Sequence, residues 1–238
     1  MDGLPMEFDE AALNEVRQTR FLINRVDDWI YDEITPYIGK RVLEVGCGLG
    51  NLFHRLYDRD LVFGIDTDGE SIRTLREAFA TMPHVQAGVY DICDSTVLSL
   101  ASMGFDTVVS LNVLEHISDD VMALTHIRAL LAQPGYFIVI VPAHAWLYGN
   151  MDSSIGHFRR YDKTQMYKKL TQAGFEVITQ RYMNFVGAAG WFISGKVLRK
   201  KTPPSEQLRL FNLLVPYLRF IEARIKPPFG ISLLSVAR

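Results

Sequence analysis

A run of alternating glycines follows an apolar segment near the start of the chain. Residues 42–50 read Val-Leu-Glu-Val-Gly-Cys-Gly-Leu-Gly, and the glycines are Gly46, Gly48 and Gly50. Apolar residues bounded by glycine predict a buried strand that ends in a tight turn, and we expect a helix over residues 51–58. Glycine suits such a turn because it permits a sharp reversal and a close approach between the backbone and a ligand. The segment therefore predicts a strand–turn–helix unit that meets a ligand.

An acidic residue ends the next strand pattern. Asp66 stands 20 residues after Gly46, at the end of residues 61–66. A carboxylate at this place accepts hydrogen bonds from ribose hydroxyls in nucleotide-binding folds. The glycine spacing is G-x-G-x-G, and Asn51 stands where the dinucleotide fingerprint G-x-G-x-x-G has its last glycine. We therefore expect a nucleoside-containing cofactor without a pyrophosphate, and an NAD(P)-linked Rossmann oxidoreductase is the alternative.

Four segments of the chain, taken in order, resemble class I S-adenosylmethionine (SAM)-dependent methyltransferases, in particular bacterial small-molecule methyltransferases. They are the glycine motif that begins at Glu44, the acidic loop at residues 90–92, the fourth-strand motif at 105–117, and the helix, Pro-Gly turn and fifth strand at 130–142. The resemblance covers about residues 38–185 and returns for the last strand. It implies methyl transfer from SAM, with S-adenosylhomocysteine as the product and no metal.

The same resemblance implies which residues bind the cofactor. The glycine turn and Glu44 would hold the methionine end, Asp66 the ribose, residues 91–92 the adenine edge and residues 111–112 the amino group. Asp94 is the alternative to the acidic residue at position 91. The complete set is Glu44, Gly46, Cys47, Gly48, Gly50, Asp66, Thr67, Asp91, Ile92, Leu111 and Asn112.

A loop rich in histidine, aromatic and arginine residues follows the predicted fifth strand. A general base, if the reaction needs one, should come from this loop, because imidazole exchanges protons near neutral pH. Residues 156–161, Gly-His-Phe-Arg-Arg-Tyr, also resemble an element of bacterial small-molecule methyltransferases. The alternative is that these side chains only tie the loop to the next helix. The predicted catalytic residues are His144, His157 and Tyr161, and the predicted substrate-binding residues are Trp146, Tyr148, Arg159, Arg160 and Trp191.

Strand and helix patterns alternate along the chain, which predicts parallel pairing with right-handed crossovers. We expect an α/β fold: a doubly wound, Rossmann-like, mostly parallel sheet of seven strands with helices on both faces. By the resemblance, the last strand is antiparallel and a helical insert precedes it. Residues 1–238 are expected to form a single domain, with a helical cap at residues 1–38. Strands are predicted at residues 41–45, 61–65, 84–89, 105–111, 135–141, 175–185 and 231–237, and helices at 51–58, 69–82, 95–103, 118–131 and 163–173.

The insert at residues 186–230 is both basic and apolar. It carries eight basic residues against two acidic ones, among many leucine and aromatic residues. Pro203 and Pro204 should divide it into two helices, and Pro216 should kink the second. Helices of this kind form a lid or substrate wall, a dimer face or a contact with an anionic membrane, or they pack as an extra layer. We expect the lid or substrate wall.

Composition limits the partners and the compartment. A net charge of −2 argues against a general nucleic-acid binder. Cys47 and Cys93 have no metal-ligand spacing and are expected to be packed thiols. Residues 1–10 lack a basic n-region, and no apolar run approaches the roughly 20 residues that span a bilayer.

These features together predict the acceptor and the setting of the reaction. The expected protein is cytoplasmic, or at most peripheral to the inner membrane face, and is a monomer or a homodimer. Its expected acceptor is a small, largely apolar molecule, such as a natural product or a lipid-linked or sugar-containing metabolite. A non-catalytic SAM-binding protein is the second alternative.

Overall fold

The computed structural model describes residues 24–200, 202 and 205–238. The strands are β1 (Arg41–Val45), β2 (Leu61–Asp66), β3 (Val85–Val89), β4 (Phe105–Leu111), β5 (Leu131–Pro142), β6 (Val177–Met183) and β7 (Ser232–Ala237). The α-helices are α1 (Asn24–Ile34), α2 (Gly69–Ala78), α3 (Asp120–Leu130), α4 (Asn150–Ser154), α5 (Lys163–Gln172), α6 (Phe185–Trp191) and α7 (Ser205–Ile225). Short 3₁₀ helices span Thr35–Tyr37, Phe53–Arg55, Ser95–Met103, Leu114–His116 and Ala145–Leu147, and a π-helix spans Phe192–Val197.

The strands form one sheet in the order β3-β2-β1-β4-β5-β7-β6. Strands β1 to β5 pair in parallel where they are neighbours, and the last strand, β7, is antiparallel. The strand order reverses between β1 and β4, and ligands of such sheets bind at the carboxyl ends of the strands beside this reversal. The predicted fold class is therefore confirmed. It brings the glycine turn after β1 and the acidic end of β2 to one edge of the sheet.

Two compact units are found within the chain. The sheet unit comprises residues 30–141, 163–180 and 234–238, and it contains nearly all of the sheet. The second unit comprises residues 142–162 and 181–233 together with the described residues 24–29. It includes the loop after β5 and the insert. The single domain at residues 1–238 stays a prediction, as does the cap at residues 1–38, of which residues 1–23 lie outside the described part.

The segment after the glycine turn differs from its prediction. An α-helix is expected over residues 51–58, whereas only the 3₁₀ helix Phe53–Arg55 forms. Backbone hydrogen bonds join Phe53 to Gly50 and Leu56 to Phe53, so each spans three residues instead of four. Phe53 and Leu56 are fully buried. The tighter winding places these two side chains in the core, and their packing overrides the α-helical expectation.

Other element boundaries differ in smaller ways. Residues 95–103 form a 3₁₀ helix where we expect an α-helix, and β5 begins at Leu131, before its Pro-Gly pair. A register shift between β4 and β5 absorbs the additional residues. The insert contains α6, the π-helix and α7, and Pro216 lies inside α7. The predicted break at residues 203–204 lies outside the described part. Across the part of the chain that the structure describes, every helix is too short or too polar to cross a bilayer.

Candidate functional site

A hydrogen-bonded turn joins the ends of β1 and β2. The amide nitrogens of Gly46 and Cys47 donate to the carbonyl oxygen of Ile65, at 2.8 and 3.1 Å. Beyond them, the amide nitrogen of Gly48 donates to Oδ2 of Asp66 at 2.8 Å, and that of Asp68 donates to Oδ1 at 3.0 Å. Each Asp66 oxygen therefore accepts one bond from the backbone and keeps a further lone pair for another donor. The carboxylate is fixed in place and half-buried.

The three motif glycines have different structural reasons to be glycine. All three have positive φ, at 74°, 50° and 79° for Gly46, Gly48 and Gly50. A Cβ at Gly46 would collide with the Val113 side chain, and one at Gly50 would lie 2.8 Å from Leu75 Cδ1. A Cβ at Gly48 would meet no atom within 4 Å. Packing therefore accounts for the first and third glycines, whereas Gly48 borders open space next to the Asp66 carboxylate.

Cys47 is packed between these groups. Its side chain is buried, and that burial raises the pKa of the Cys47 thiol well above its usual range. The nearby charges of Glu44 and Asp66 raise the pKa further. The thiol therefore stays protonated near neutral pH and does not act as a nucleophile. Cys47 can support the turn through its backbone and the packing of its side chain. Glu44 itself is 5% exposed, next to the turn on β1.

The remaining predicted cofactor residues follow β3 and β4. Asn112 has a φ of 56°, and its amide nitrogen donates to the carbonyl oxygen of Ile140 at 2.8 Å. Asp91 is exposed, and its carboxylate accepts from the amide of Cys93, whereas Asp94 caps the 3₁₀ helix Ser95–Met103 through the amide of Thr96. Each carboxylate thus accepts one backbone amide, and Asp91 as the adenine-binding residue stays a prediction with Asp94 as its alternative.

The other members of the set differ in exposure. Ile92 is buried, Leu111 is half-buried and Thr67 is exposed. Asp68, one residue after Thr67, is the N-cap of α2, because its carboxylate accepts from the amide of Glu70.

His144 opens the loop after β5 in a backbone conformation that is uncommon for residues other than glycine. Its φ is 63°, and its amide nitrogen donates to the carbonyl oxygen of Tyr161 at 2.9 Å. The imidazole lies 4.3 Å from the Tyr182 ring and 5.7 Å from the Trp146 ring, measured between centroids. Within the described residues, the buried Nε2 atom of His144 has no hydrogen-bond partner. A positive φ is uncommon outside glycine and is found most often at functional sites.

Burial and two nearby charges shift the pKa of His144. Partial burial lowers the pKa of His144, Asp162 raises it, and Arg160 lowers it again, so that the net pKa lies below the usual range for histidine. The ring is therefore neutral near neutral pH and can accept a proton. Tyr182, which stacks on the ring, lies in β6 and was not predicted from the sequence, because nothing in a strand pattern marks one aromatic residue as a partner of a distant loop.

Asp152 is the centre of a buried network in the same unit. Its Oδ1 accepts from Nδ1 of His157 at 2.9 Å and from Nε of Arg160 at 2.8 Å. Its Oδ2 accepts from the amide of Gly149 at 3.0 Å and from Nε1 of Trp191 at 3.3 Å. Burial raises the pKa of Asp152, but the hydrogen bond from His157 and the charge of Arg160 outweigh that effect, and the net pKa lies below the usual range. The carboxylate therefore stays ionised.

This network contains four of the eight predicted catalytic and substrate-binding residues. His157 is 6% exposed and Arg160 is 4% exposed, and the Arg160 guanidinium lies 4.9 Å from the Trp191 ring centroid. Tyr148 joins through its hydroxyl, which donates to the His157 carbonyl oxygen at 2.7 Å. Asp152 holds these side chains in place. The sequence does not indicate this role of Asp152, because its partners extend from Gly149 to Trp191 without a regular spacing.

Of the four predicted residues outside this network, His144 is described above and the other three are placed differently. Tyr161 is 1% exposed and pairs through its backbone with Ala143 in a parallel bridge. Trp146 is 52% exposed and lies 6.0 Å from the Phe192 ring centroid. Arg159 is half-buried, and its guanidinium lies 5.8 Å from the Phe158 ring centroid. His144 and Trp146 are thus brought together at one place, and Tyr161 supports the loop from within.

The family of the chain follows from sequence comparison. A profile of the methyltransferase domain family matches residues 19–180, which is more than half of the chain. The chain belongs to this family. The match confirms the predicted resemblance, and it favours a methyltransferase over the NAD(P)-linked oxidoreductase. It covers the glycine turn, Asp66 and the loop after β5, and it ends before the insert.

Individual relatives match only part of their length. An uncharacterised methyltransferase of Mycobacterium tuberculosis is 33% identical over 114 residues, which is 48% of this chain and 56% of the relative. A ubiquinone biosynthesis O-methyltransferase of Paracidovorax citrulli is 34% identical over 139 residues, 56% of this chain and 53% of the relative. The chain thus spans about half the length of the curated relatives it matches.

A solved structure supports the fold. The SAM-dependent methyltransferase of Archaeoglobus fulgidus has a TM-score of 0.61 at 17% identity, over 90% of this chain and 93% of that one. At this identity the likeness supports the fold alone.

Proposed function

We propose that this chain transfers a methyl group from SAM to a small, largely apolar acceptor. The observation that carries the proposal is the open space at Gly48, which lies beside a carboxylate with spare acceptor capacity. A nucleoside with two ribose hydroxyls fits this arrangement, because each Asp66 oxygen has room for one more donor. Glu44, the glycine turn, Asp91, Ile92 and residues 111–112 would hold the rest of the cofactor.

Bound SAM supplies a methyl group that its sulfonium already activates. The protein then has to orient the acceptor, exclude water and, for a hydroxyl or amine acceptor, remove a proton. We assign proton removal to Nε2 of His144, because it is the nitrogen of the predicted loop histidines that has no hydrogen-bond partner among the described residues. In this proposal, His157, Arg160 and Tyr161 act by holding the loop, because they are buried. Trp146, with its exposed ring, and the apolar residues of the insert other than those exposed on α7 supply apolar contacts to the acceptor.

The predicted partners belong to the same proposal. The acceptor is a small molecule rather than a nucleic acid, and the net charge of −2 supports this choice. The setting that we propose is the cytoplasm or the inner face of the membrane, and the proposed oligomeric state is a monomer or a homodimer. Incubation with radiolabelled SAM and an organic extract of cells, followed by chromatography, tests the activity. Labelled product supports it, and SAM binding without any transfer would favour the non-catalytic alternative.

Asp66→Ala should weaken SAM binding by about 1.5–3 kcal/mol, because charge-assisted hydrogen bonds to the ribose are lost. Titration calorimetry measures this directly. Asp68→Ala is the matched control: it removes a carboxylate two residues away that caps α2, and it should lower stability by about 1 kcal/mol with little effect on SAM affinity. Equal affinities of the Asp66→Ala and unmodified proteins would remove Asp66 from the site.

His144→Asn should lower kcat/KM by about 10²–10⁴-fold, because a base in the correct position is lost. Asparagine is chosen because it tolerates a positive φ, such as the one at this residue, better than most residues do. In the unmodified enzyme, kcat/KM should fall only as the pH drops below about 6.5, because the pKa of His144 lies below its usual value and the neutral form persists. The variant should lack this acid limb. His84→Asn, outside the loop, serves as the control, and a retained acid limb in His144→Asn would assign the proton transfer elsewhere.

A further inference from the structure

Helix α7 exposes an apolar face. Its exposed apolar residues recur at spacings of three and four, which places them on one side of the helix. They are 41–70% exposed: Leu210, Leu213, Leu214, Tyr217, Phe220, Ile221 and Ile225. We call these seven residues the α7 outer face. Contiguous apolar patches of this kind on a protein surface mark a site for a partner or a membrane.

The opposite side of α7 is held by the protein, which fixes the outward direction of the outer face. Val215 is 2% exposed, and the buried Glu222 accepts from the amides of Asn184 and Phe185 at 2.9 and 2.8 Å. Asn212 donates to the side chain of Asn24 and accepts from the amide of Arg25. These contacts lie along the length of the helix. Rotating the outer face inward would break them all.

A second exposed apolar segment is joined to α7. The π-helix and the residue after it expose Phe192, Ile193, Val197 and Leu198, each by 40% or more. The hydroxyl of Ser194, from the same segment, donates to the side chain of Gln207 at 3.0 Å and links it to the first turns of α7. Exposed apolar side chains are therefore present on two helices that a hydrogen bond joins.

Basic residues lie beside the apolar residues of both helices, and they outnumber Glu206, the exposed acidic residue of α7. Arg224 lies over the Phe220 ring, 3.3 Å from its centroid, and Arg209 adjoins Leu210 and Leu213 on the helix. Lys196, Arg199 and Lys200 are exposed beside the apolar residues of the π-helix. The chain as a whole has a net charge of −2, so positive charge is concentrated here. An apolar face bordered by lysine and arginine is the pattern of helices that lie in the interface of an anionic bilayer.

We propose that the α7 outer face docks on the surface of an anionic lipid bilayer. The apolar side chains would enter the boundary between headgroups and acyl chains, and the bordering cations would contact lipid phosphates. The proposal extends the proposed function by naming the place where an apolar acceptor is met, a lipid phase, but the docking does not itself depend on methyl transfer.

The arginines beside the α7 outer face disfavour its binding to a second copy of this chain. Two outer faces packed antiparallel around Tyr217 would bring Arg209 of one copy beside Arg224 of the other. Like charges that face each other in this way oppose association. An anionic lipid surface meets the same arginines with opposite charge.

Sedimentation with vesicles tests the proposal on the full-length protein. Binding to vesicles of phosphatidylglycerol and phosphatidylcholine should exceed binding to pure phosphatidylcholine vesicles by about tenfold, and about 0.5 M salt should reduce this difference. Leu213→Gln with Tyr217→Gln should abolish binding. Met122→Gln with Tyr167→Gln removes two exposed apolar residues, 44% and 51% exposed, from α3 and α5, and this control should bind normally. Lys196→Gln, Lys200→Gln and Arg209→Gln together should remove the preference for anionic vesicles.

Three outcomes would overturn the proposal. The first is equal binding of the outer-face variant and its control. The second is equal binding of the unmodified protein to anionic and neutral vesicles. The third is the absence of vesicle binding together with a dimer that the outer-face variant converts to a monomer in size-exclusion chromatography, which would assign the face to self-association. SAM calorimetry on every variant tests the proposed function separately. Vesicle binding without SAM binding would contradict the proposed function alone, and SAM binding without vesicle binding would contradict the docking proposal alone.

Discussion

Gly48→Val should abolish detectable SAM binding. A Cβ at residue 48 would enter the open space beside the Asp66 carboxylate without touching the protein, so the isopropyl group of valine would occupy volume that the cofactor needs. The positive φ of 50° adds strain of about 1–2 kcal/mol to the same variant. Titration calorimetry with SAM measures the loss, and thermal unfolding measures the strain.

Gly174→Val separates the two effects. Gly174 also has a positive φ, of 85°, and a Cβ there also meets no atom within 4 Å, but it follows α5 and is not part of the glycine turn. Both variants should lose a similar amount of stability, because both place a β-branched residue in the left-handed region. Only Gly48→Val should lose SAM binding. If it folds and binds SAM normally, the assignment of the glycine turn to the cofactor is wrong.

The sheet could be predicted from the sequence because its signals are local. Strand β1 is predicted at residues 41–45 and is found at Arg41–Val45, since apolar residues run without interruption into a glycine. The local sequence pattern does not predict the structure that follows Gly50. There, Phe53 and Leu56 are drawn into the core by packing that the local pattern does not contain, and a 3₁₀ turn replaces the predicted α-helix.

The position of the glycine turn could be predicted from the sequence, whereas the Asp152 network could not. Gly48 and Asp66 are close because parallel strands end at one edge of the sheet, so their hydrogen bond follows from topology that the sequence predicts. The role of Asp152 does not follow. Its bonds to His157, Arg160 and Trp191 depend on how a loop and an insert fold together, and no periodic pattern relates these positions. Residue types in that loop therefore predict chemistry but not which side chains are buried.

Replacing residues 186–230 with Asn-Gly should abolish methyl transfer and leave SAM affinity nearly unchanged. The ends of the insert are close, because the amide of Ile231 donates to the carbonyl oxygen of Asn184 at 3.1 Å, so a three-residue turn of Phe185 and the added Asn-Gly can join β6 to β7. The predicted cofactor residues, from Glu44 to Asn112, all precede the insert. Transfer should fall by at least about a hundredfold, because the acceptor loses the contacts that orient it and water gains access.

The deletion variant must be compared with a variant that keeps the insert. Leu213→Gln with Tyr217→Gln alters the α7 outer face and leaves the buried contacts of Val215 and Glu222 in place. With a detergent-dispersed acceptor, this variant should keep the methyl-transfer rate of the unmodified protein, whereas the deletion should lose it. Loss in both variants would make the outer face part of the acceptor site rather than a docking surface. Full activity of the deletion variant would mean that the insert only packs on the protein, because neither orientation of the acceptor nor exclusion of water would then require it.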